Sequence, residues 1–257
     1  MKLICPVCGQ PMTRENRSAV CPSHHSFDYA KSGYLNLLLK QSTSHGDNAE
    51  MVKARTVFLS SGAYAFLRER LKQLSSEINP AVLCDLGCGE GYYTQALCAE
   101  EKYGFDLSKD ALKHAAKHDH NTAYTVSSIF HLPLADESAD LCITCFAPVA
   151  GEEISRILKK GGRFILVLPA RKHLYELKEL LYQTPYENDE EETKVPFKMI
   201  HEEHIEEQFT AEGEVLNALF MMTPYAYHTA ERGKQKLAEA KKLEITASFV
   251  IRIYEKQ

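Results

Sequence analysis

The chain of 257 residues has no tryptophan. It also has no run of about 20 apolar residues that could cross a membrane. Its first residues, Met1 to Pro6, contain no apolar core of a signal peptide. In a protein that is not exported, we expect the eight cysteines to be reduced and to serve as metal ligands or packing residues rather than as disulfides. These absences predict a cytoplasmic protein with no membrane partner.

The chain also lacks the excess of positive charge that holds many proteins on nucleic acid, since its formal net charge is −5. The charges are unevenly distributed. Residues 1–60 carry seven Lys and Arg against four Asp and Glu, a net of +3, which leaves −8 for the remainder. A basic head on an acidic body favours an RNA contact confined to one end, where Lys2, Arg14, Arg17 and Lys31 would hold the phosphate backbone.

A glycine-rich loop follows a short apolar run that begins at Val82 and includes Asp85. The run predicts a buried strand, and the glycines fall at Gly87, Gly89 and Gly91. Because glycine permits positive φ and has no Cβ, such a loop can approach a flat ligand closely. The spacing differs from the G-x-G-x-x-G of dinucleotide sites. A helix that starts near Glu90 would direct its free N–H groups into the same cleft.

A second acid, Asp106, ends the next predicted strand, where doubly wound sheets hold ribose hydroxyls. Asp85, the glycine loop and Asp106 together resemble motif I and its following acid in the class I S-adenosylmethionine (SAM) methyltransferases. The resemblance implies SAM as a cofactor bound across this loop. In that fold the segment from Ser128 to Pro133 runs past the adenine.

The amino-terminal cysteines have the spacing of a structural zinc site. Cys5 and Cys8 form Cys-x2-Cys, and after twelve residues Cys21 is followed by His24 and His25. Four ligands would close a tetrahedron around the metal and leave no position for catalysis. Spacing alone leaves the fourth ligand open between His24 and His25. About 25 residues are too few to bury a core, so the metal would supply folding energy.

Alternating strands and helices predict an α/β fold, a Rossmann-like doubly wound sheet of the class I SAM methyltransferase type with a small N-terminal zinc-binding domain. Met51 to Ile78 predicts two helices that are interrupted at Ser60–Gly62, and Lys159–Arg163 predicts a turn that ends a helix. Predicted strands are 81–86, 102–106, 123–127, 140–146, 163–168, 197–209 and 244–254. Predicted helices are 91–101, 108–118, 151–158, 173–183, 211–221 and 230–242. Cys142 and Cys145 should point to opposite faces of their strand and pack there.

The whole pattern resembles the bacterial 23S ribosomal RNA guanine-N1 methyltransferases, which modify a hairpin loop beside the peptide exit tunnel. The resemblance covers nearly the whole chain. Beyond the zinc and glycine motifs, it rests on Gly46-Asp47-x-Ala49-Glu50-Met51, Arg171-x-His173-Leu174-x-Glu176-Leu177-Lys178 and Met222-Thr223-Pro224-Tyr225-Ala226. The Cys145-Phe146-Ala147-Pro148 segment departs from one of the family's two subtypes, so the choice between neighbouring guanines stays open.

The resemblance implies residues and partners that the spacing does not give. The implied zinc ligands are Cys5, Cys8, Cys21 and His25. The implied or motif-derived SAM contacts are Tyr64, Asp85, Gly87, Gly89, Glu90, Gly91, Asp106, Ser128 and His173. Residues 1–39 would be a zinc-binding, RNA-recognition domain, 40–78 a linker and helical extension, and 79–257 the methyltransferase domain. The implied partners are a 23S rRNA hairpin and a second copy of the chain in a homodimer.

Methyl transfer to guanine N1 needs an extruded base, a stacking wall and an acceptor for the N1 proton. Tyr225, Tyr227 and Phe146 are candidates for the wall, and His131 and His173 for the acceptor. His131 and Tyr225 are the candidate catalytic residues, with water as the alternative acceptor. Two other functions fit the sequence: a small-molecule SAM methyltransferase with a zinc-bound lid, and a non-catalytic zinc and RNA-binding module that retains a SAM fold. We expect zinc removal to leave SAM binding largely intact, because the cofactor fold would have its own core.

Overall fold

A computed structural model describes residues 3–39, 46–190 and 195–257. Lys2, residues 40–45 at the start of the predicted linker and residues 191–194 lie outside the described residues. The strands are β1 (Thr13–Glu15), β2 (Ser18–Val20), β3 (Ser26–Asp28), β4 (Leu35–Asn36), β5 (Val82–Leu86), β6 (Glu101–Asp106), β7 (Thr122–Val126), β8 (Ala139–Cys145), β9 (Leu158–Pro169), β10 (Lys198–Glu212) and β11 (Lys242–Glu255). The helices are α1 (Ala49–Ser60), α2 (Ala65–Ile78), α3 (Lys109–His118), α4 (Gly151–Ile157), α5 (Tyr175–Leu181), α6 (Gly213–Met221), α7 (Tyr225–His228) and α8 (Glu231–Glu239).

Eight strands form the main sheet in the order β10-β11-β9-β8-β5-β6-β7-β4. The strands from β9 to β4 pair in parallel, and β11 and β10 add an antiparallel ribbon at the far edge. The chain direction across the sheet reverses at β5, which has β6 on one side and β8 on the other. In doubly wound sheets the ligand crevice opens at the carboxyl ends of the strands at such a point. The predicted α/β, Rossmann-like class is confirmed.

Two apolar layers cover the faces of this sheet. One layer includes Leu83, Ile143 and Val167, and the other includes Cys84, Cys142 and Leu166, as the alternation of side chains along strands requires. Cys142 belongs to the second layer, whereas Cys145 packs against the first. The two cysteines therefore occupy opposite faces, as predicted.

The amino-terminal head is joined to the main sheet by hydrogen bonds and by shared core. β4 extends the sheet beside β7, and the Leu37 amide donates to the Val126 carbonyl at 3.0 Å. The Ile4 amide donates to the Pro133 carbonyl at 2.9 Å. Leu3, Leu35, Leu37 and the thiols of Cys5 and Cys21 lie in the same apolar cluster as residues of β5, β8 and β9. The core of the cofactor fold is thus shared with the head.

The predicted helix over 91–101 is wrong, and with it the helix start near Glu90. Only a run of turns follows the glycine loop, in which the Gln95 amide donates to the Gly91 carbonyl at 3.0 Å. The Cys98 amide donates to Ser75 Oγ at 2.9 Å instead of to a carbonyl of the next turn. Lys102 Nζ donates hydrogen bonds to the carbonyls of Thr94 and Gln95 at 3.0 and 3.2 Å. Partners outside the segment satisfy the groups that a helix would have paired internally.

The predicted helix-ending turn at Lys159–Arg163 is also wrong. The ladder between β8 and β9 skips from the Ala139–Leu158 pair to the Leu141–Arg163 pair, so the Lys-Lys-Gly-Gly segment bulges within β9. Gly161 donates to the Lys256 carbonyl at 2.8 Å, and the Lys256 amide donates to the Gly162 carbonyl at 3.0 Å. Pairing with Lys256, directly after β11, keeps this bulge within β9, and Gly161 adopts a left-handed φ of +71° there.

The helices before β5 follow the prediction. Asn48 Oδ1 accepts a hydrogen bond from the Met51 amide at 2.9 Å and caps α1. The break between α1 and α2 falls at Ser61–Tyr64, with Gly62 at a φ of +86°. In the described part of the chain, every helix is too short or too polar to cross a bilayer.

Candidate functional site

The three glycines of the loop after β5 have different surroundings. A Cβ on Gly87 would collide with Ala147 Cβ, and one on Gly91 would lie 2.5 Å from the Tyr124 hydroxyl, so both are required for packing within the chain. A Cβ on Gly89 would meet nothing nearer than Arg55 Nη1 at 3.6 Å. Gly89 is therefore the glycine whose backbone a ligand can approach, and its φ of +53° favours glycine there.

A buried acid, Asp85, and a half-buried one, Asp106, hold this loop from below. Asp85 Oδ2 accepts a hydrogen bond from Thr94 Oγ1 at 2.6 Å, and Asp85 Oδ1 has no hydrogen-bond partner among the described residues. Burial raises the pKa of Asp85 to about 7, against the opposing effect of the Thr94 hydrogen bond. Asp106 accepts from the amides of Gly89 at 2.9 Å and Ser108 at 2.8 Å. Asp106 thus ties the loop to β6, and each carboxylate oxygen keeps a lone pair for a second donor.

Glu90 is the least satisfied group of the site. Its carboxylate is 5% exposed, and neither oxygen accepts a hydrogen bond from a described residue. Arg55 Nη1 lies 4.0 Å from Glu90 Oε2, a charge contact without a hydrogen bond, because the guanidinium pairs more closely with Asp47. Burial raises the pKa of Glu90 to about 7 in spite of Arg55. Two free acceptor oxygens beside the glycine loop suit hydroxyl or ammonium donors of a ligand.

The residues before α1 cover one edge of this site. Ser108 Oγ donates to the Asp47 carbonyl at 2.5 Å, and a Cβ on Gly46 would lie 2.7 Å from the Ser108 amide. The Gly46-Asp47 motif therefore lies against the turn between β6 and α3, and Asp47 places Arg55 between itself and Glu90. Asp47 and Arg55, which the sequence did not predict as site residues, therefore belong to the candidate site beside Glu90. The polarity of the Gly46-Asp47 motif could have indicated these residues, because packing against an apolar core does not require a polar side chain there.

Tyr64 and His173 form a hydrogen-bonded pair with a defined direction. The Ser248 amide donates to His173 Nδ1 at 3.2 Å, so the ring proton of the neutral imidazole is on Nε2. Nε2 then donates to the Tyr64 hydroxyl oxygen at 3.1 Å, and the Tyr64 proton is directed elsewhere. Burial, followed by the charge of Lys178, lowers the pKa of His173 to about 3. His173 is a donor in this state and not the proton acceptor that the sequence suggested.

An aromatic wall stands at the carboxyl end of β8. Phe146 has a φ of +59°, a strained backbone state for a non-glycine residue, and its side chain is 43% exposed. Its ring lies 6.2 Å from that of Tyr93, whose buried hydroxyl has no hydrogen-bond partner among the described residues. Tyr225 is half-buried at the start of α7, where burial raises its pKa. Tyr227 is 65% exposed and contacts Met51 Sδ at 3.0 Å.

The segment after β7 separates the remaining candidates. Ser127 Oγ is buried and has no hydrogen-bond partner among the described residues, whereas Ser128 Oγ accepts from the Phe130 amide at 3.2 Å. His131 is exposed, and its amide donates to the Ser128 carbonyl at 3.2 Å within the same turn. The structure gives His131 no contact with the aromatic wall, so geometry does not support a role for it in proton transfer.

The head brings four metal-ligand atoms together. The thiols of Cys5, Cys8 and Cys21 and Nδ1 of His25 all lie within 4.8 Å of one another. Cys8 and Cys21 Sγ are 3.6 Å apart, and His25 Nδ1 is 3.5 Å from Cys5 Sγ and 3.4 Å from Cys21 Sγ. A tetrahedron with Zn–S bonds of about 2.3 Å has edges of about 3.8 Å, so the spacing fits zinc. A backbone hydrogen bond from Gln10 is the main cause that lowers the pKa of the Cys8 thiol to about 6, which favours the thiolate form that binds zinc. His24 has a left-handed φ of +62° and is not part of this group.

Comparison with known proteins identifies relatives of both parts. A family model described as "RlmA, N-terminal", a zinc ribbon, matches residues 3–43, and a methyltransferase-domain model matches residues 79–239. The chain is 31% identical to the 23S rRNA (guanine(748)-N(1))-methyltransferase of Streptomyces fradiae over 88% of its length and 86% of the relative. It is 29% identical to a candidate 23S rRNA (guanine-N(1)-)-methyltransferase of Bacillus subtilis (strain 168), over 97% of its length and 95% of the relative.

A solved structure supports the fold independently. A candidate type II methyltransferase from Anaeromyxobacter dehalogenans superposes with a TM-score of 0.55 at 19% identity, covering 73% of this chain and 95% of that one. At this identity the likeness concerns the fold alone. The cofactors therefore agree with the sequence predictions: the chain carries a SAM-dependent methyltransferase domain and a structural zinc ribbon.

Proposed function

Because the chain belongs to the family of 23S rRNA guanine-N1 methyltransferases, we propose that it methylates N1 of a guanine in a hairpin loop of 23S rRNA near the peptide exit tunnel. The observation that carries this proposal is the combination of a zinc ribbon and a SAM cleft in one packed unit, matched by relatives over most of the chain. A 23S rRNA substrate supports a cytoplasmic enzyme, since ribosomes are assembled there.

The cofactor residues are proposed from the geometry of the cleft. The Gly89 backbone and the free oxygens of Glu90 would hold SAM beside the glycine loop, with Asp106 at the ribose, Ser128 near the adenine and Asp85 below the loop. Tyr64 would donate its hydroxyl proton to an acceptor of the cofactor, because the hydroxyl oxygen already accepts a hydrogen bond from His173 Nε2. When bound, SAM supplies an electrophilic methyl group for in-line displacement.

The guanine pocket is proposed at the aromatic wall. An extruded base needs a flat surface to stack on, and the aromatic rings proposed to supply it are Phe146, directly after β8, and Tyr225, at the start of α7. Loss of the N1 proton leaves negative charge on the base, and the neutral, donating state of His173 directs the proton to water instead. Catalysis in this cleft would then depend on positioning more than on a dedicated base.

RNA binding is proposed to be divided between two regions. The described basic residues of the head, Arg14, Arg17 and Lys31, are exposed, and Arg14 also stacks on the Tyr29 ring at 4.5 Å. They would hold phosphates while the cleft takes one guanine. Cys5, Cys8, Cys21 and His25 would hold the zinc that shapes this head. A homodimer with two heads around the RNA stays a prediction.

Methylation of purified ribosomal RNA tests the proposal. The protein is incubated with labelled SAM and unmodified 23S rRNA, and primer extension locates the product, since N1 methylation blocks the Watson–Crick edge. We expect one stop in a hairpin loop. Label transfer to small molecules but not to rRNA would favour the small-molecule methyltransferase. No transfer to either, with SAM bound, would favour the non-catalytic RNA-binding module.

A further inference from the structure

Helix α3 presents a row of unpaired positive charges. Lys109, Lys113 and Lys117 are exposed and lie four residues apart, so they follow one line along the helix. The opposite side of the helix is buried through Ala111, Leu112, Ala115 and Ala116. None of the three lysines forms an ion pair with a residue that the structure describes.

This lysine row of α3 leads to the cofactor cleft. Ser108 caps the helix through a hydrogen bond from the Ala111 amide to its Oγ at 3.1 Å, and the Ser108 amide also donates to Asp106. Lys109 is therefore at the edge of the cleft, and Lys117 is two turns away. Four residues rise about 6 Å along a helix, so the row spans about 12 Å.

The zinc head continues the same basic surface. Gly33 lies against the carboxyl-terminal half of α3, where its Cβ would be 3.8 Å from Ala116 Cβ. Tyr34 and Leu38 pack onto the apolar cluster beneath the helix. Lys31, two residues before Gly33, is exposed on this loop. The head and the lysine row are therefore adjacent, although the sequence separates them by about 80 residues of mixed charge.

The opposite edge of the sheet has the opposite charge. β10 is the last strand on that side, and most of its residues are exposed. It carries five glutamates, of which Glu202 and Glu203 pair with Arg252 and Arg70, while Glu206, Glu207 and Glu212 form no ion pair with a described residue. An anionic polymer is repelled from that edge and attracted to the edge formed by β4 and α3. The net charge of −5 conceals this polarity.

We infer that the lysine row of α3 is a phosphate-binding track that guides the substrate RNA from the zinc head to the cofactor cleft. The inference rests on the proposed function, since it names the part of the enzyme that holds the rRNA strand beside the extruded guanine. A protein on the RNA needs contacts that set its position without reading bases, and lysines on an exposed helix supply them. Partial burial, with the charges of His118 and Lys117, also lowers the pKa of His114, which agrees with a positive potential on this helix.

Charge-matched variants test the inference. Lys113→Gln with Lys117→Gln removes two charges from the row and keeps helix-forming side chains. The control is Lys198→Gln with Lys242→Gln, which removes two exposed charges at the acidic edge. Hairpin transcripts of 23S rRNA with the target or a scrambled loop are titrated at several salt concentrations. SAM affinity and unfolding temperature establish that both variants fold.

We expect the row variant to flatten the slope of log Kobs against log salt by about 1.4 to 1.8, at 0.7–0.9 per phosphate contact, and to bind about tenfold or more weakly near 0.1 M salt. Both hairpins should be affected alike, and the control should match the wild type. Methylation at saturating RNA should persist in the row variant. An unchanged salt slope, or weaker binding of the target hairpin alone, would overturn the phosphate-binding track. If the wild-type protein still methylated rRNA, the proposed function would stand. Absence of wild-type methylation would refute the proposed function instead.

Discussion

Replacement of Glu90 by glutamine should stabilise the cofactor-free protein and weaken its hold on SAM. The Glu90 carboxylate is buried without a hydrogen bond, and its pKa in the folded state is raised from 4.5 to about 7. Between these pH values the folded protein binds more protons than the unfolded chain, so the free energy of unfolding falls as pH rises. The penalty is complete above pH 7 and absent below about 4.5.

The size of the effect follows from the same two values. A difference of about 2.5 pH units at 1.36 kcal/mol each gives a penalty of about 3 kcal/mol for the charged carboxylate at pH 8. Glu90→Gln removes this charge, so the free energy of unfolding should rise by up to about 3 kcal/mol at pH 8. At 2–4 °C per kcal/mol, Tm should rise by roughly 6–12 °C. The gain should shrink as pH falls towards 5.

SAM should bind more weakly to the Glu90→Gln variant than to the wild type. Loss of a hydrogen bond to a charged group is worth about 1.5–3 kcal/mol, so SAM should bind about 10- to 100-fold more weakly to the variant. Denaturant unfolding from pH 5 to 8.5 and calorimetry with SAM measure both effects. Glu100→Gln is the control, because Glu100 is exposed and forms no ion pair with a described residue. A stability gain that is equal at pH 5 and pH 8, or unchanged SAM affinity, would refute the reasoning.

Two further predictions concern the loop and the head. Gly89→Val should abolish SAM binding by filling the open side of the loop, whereas Gly213→Val, at a similar φ of +51° in a position away from the cleft, should lose stability but keep SAM binding. Calorimetry with SAM on both variants separates obstruction of the ligand from backbone strain. An equal loss of SAM affinity in both would contradict the obstruction at Gly89. Contrary to the expectation from the sequence, zinc removal by a chelator should weaken SAM binding as well as RNA binding, because the head holds the segment after β7 through the Ile4–Pro133 and Leu37–Val126 hydrogen bonds. Metal analysis and SAM titration of the chelated protein check this, and unchanged SAM affinity after zinc loss would show that the head and the cofactor site are independent.

The elements that the sequence predicted correctly are those whose local pattern agrees with their packing. α3 begins after Ser108 and carries an apolar side and a polar side, and β5 to β9 read as apolar runs because both faces of the sheet are covered. The zinc-ligand set could also be predicted from spacing, since the short Cys-x2-Cys and Cys-x3-His turns each bring two ligand atoms close together. Spacing alone left His24 and His25 open, the resemblance implied His25, and the structure places Nδ1 of His25 beside the three thiols.

The failures arise from partners that are distant in sequence. The segment after Gly91 has helical composition, but its Cys98 amide and two of its carbonyls form hydrogen bonds with Ser75 and Lys102. A local sequence pattern does not reveal these distant partners. The Lys-Lys-Gly-Gly segment looks like the end of a helix until Lys256 pairs with it. Asp47 and Arg55 enter the cofactor cleft only because Gly46 packs on Ser108. Tertiary hydrogen bonds decided each case over local propensity.

The same contacts explain why a zinc ribbon belongs in the fold of a SAM enzyme. β4 pairs with β7, the strand that leads into the segment of Ser127 and Ser128, and Ile4 holds the end of that segment at Pro133. A metal that orders about 25 residues of head therefore also fixes one wall of the cofactor cleft. The head in turn lies beside α3, whose first turn borders the cleft and whose exposed lysines face the solvent. Under the proposed function, zinc, cofactor and RNA act on one continuous surface, so their affinities should depend on one another through the segment after β7 rather than through a hinge between separate domains.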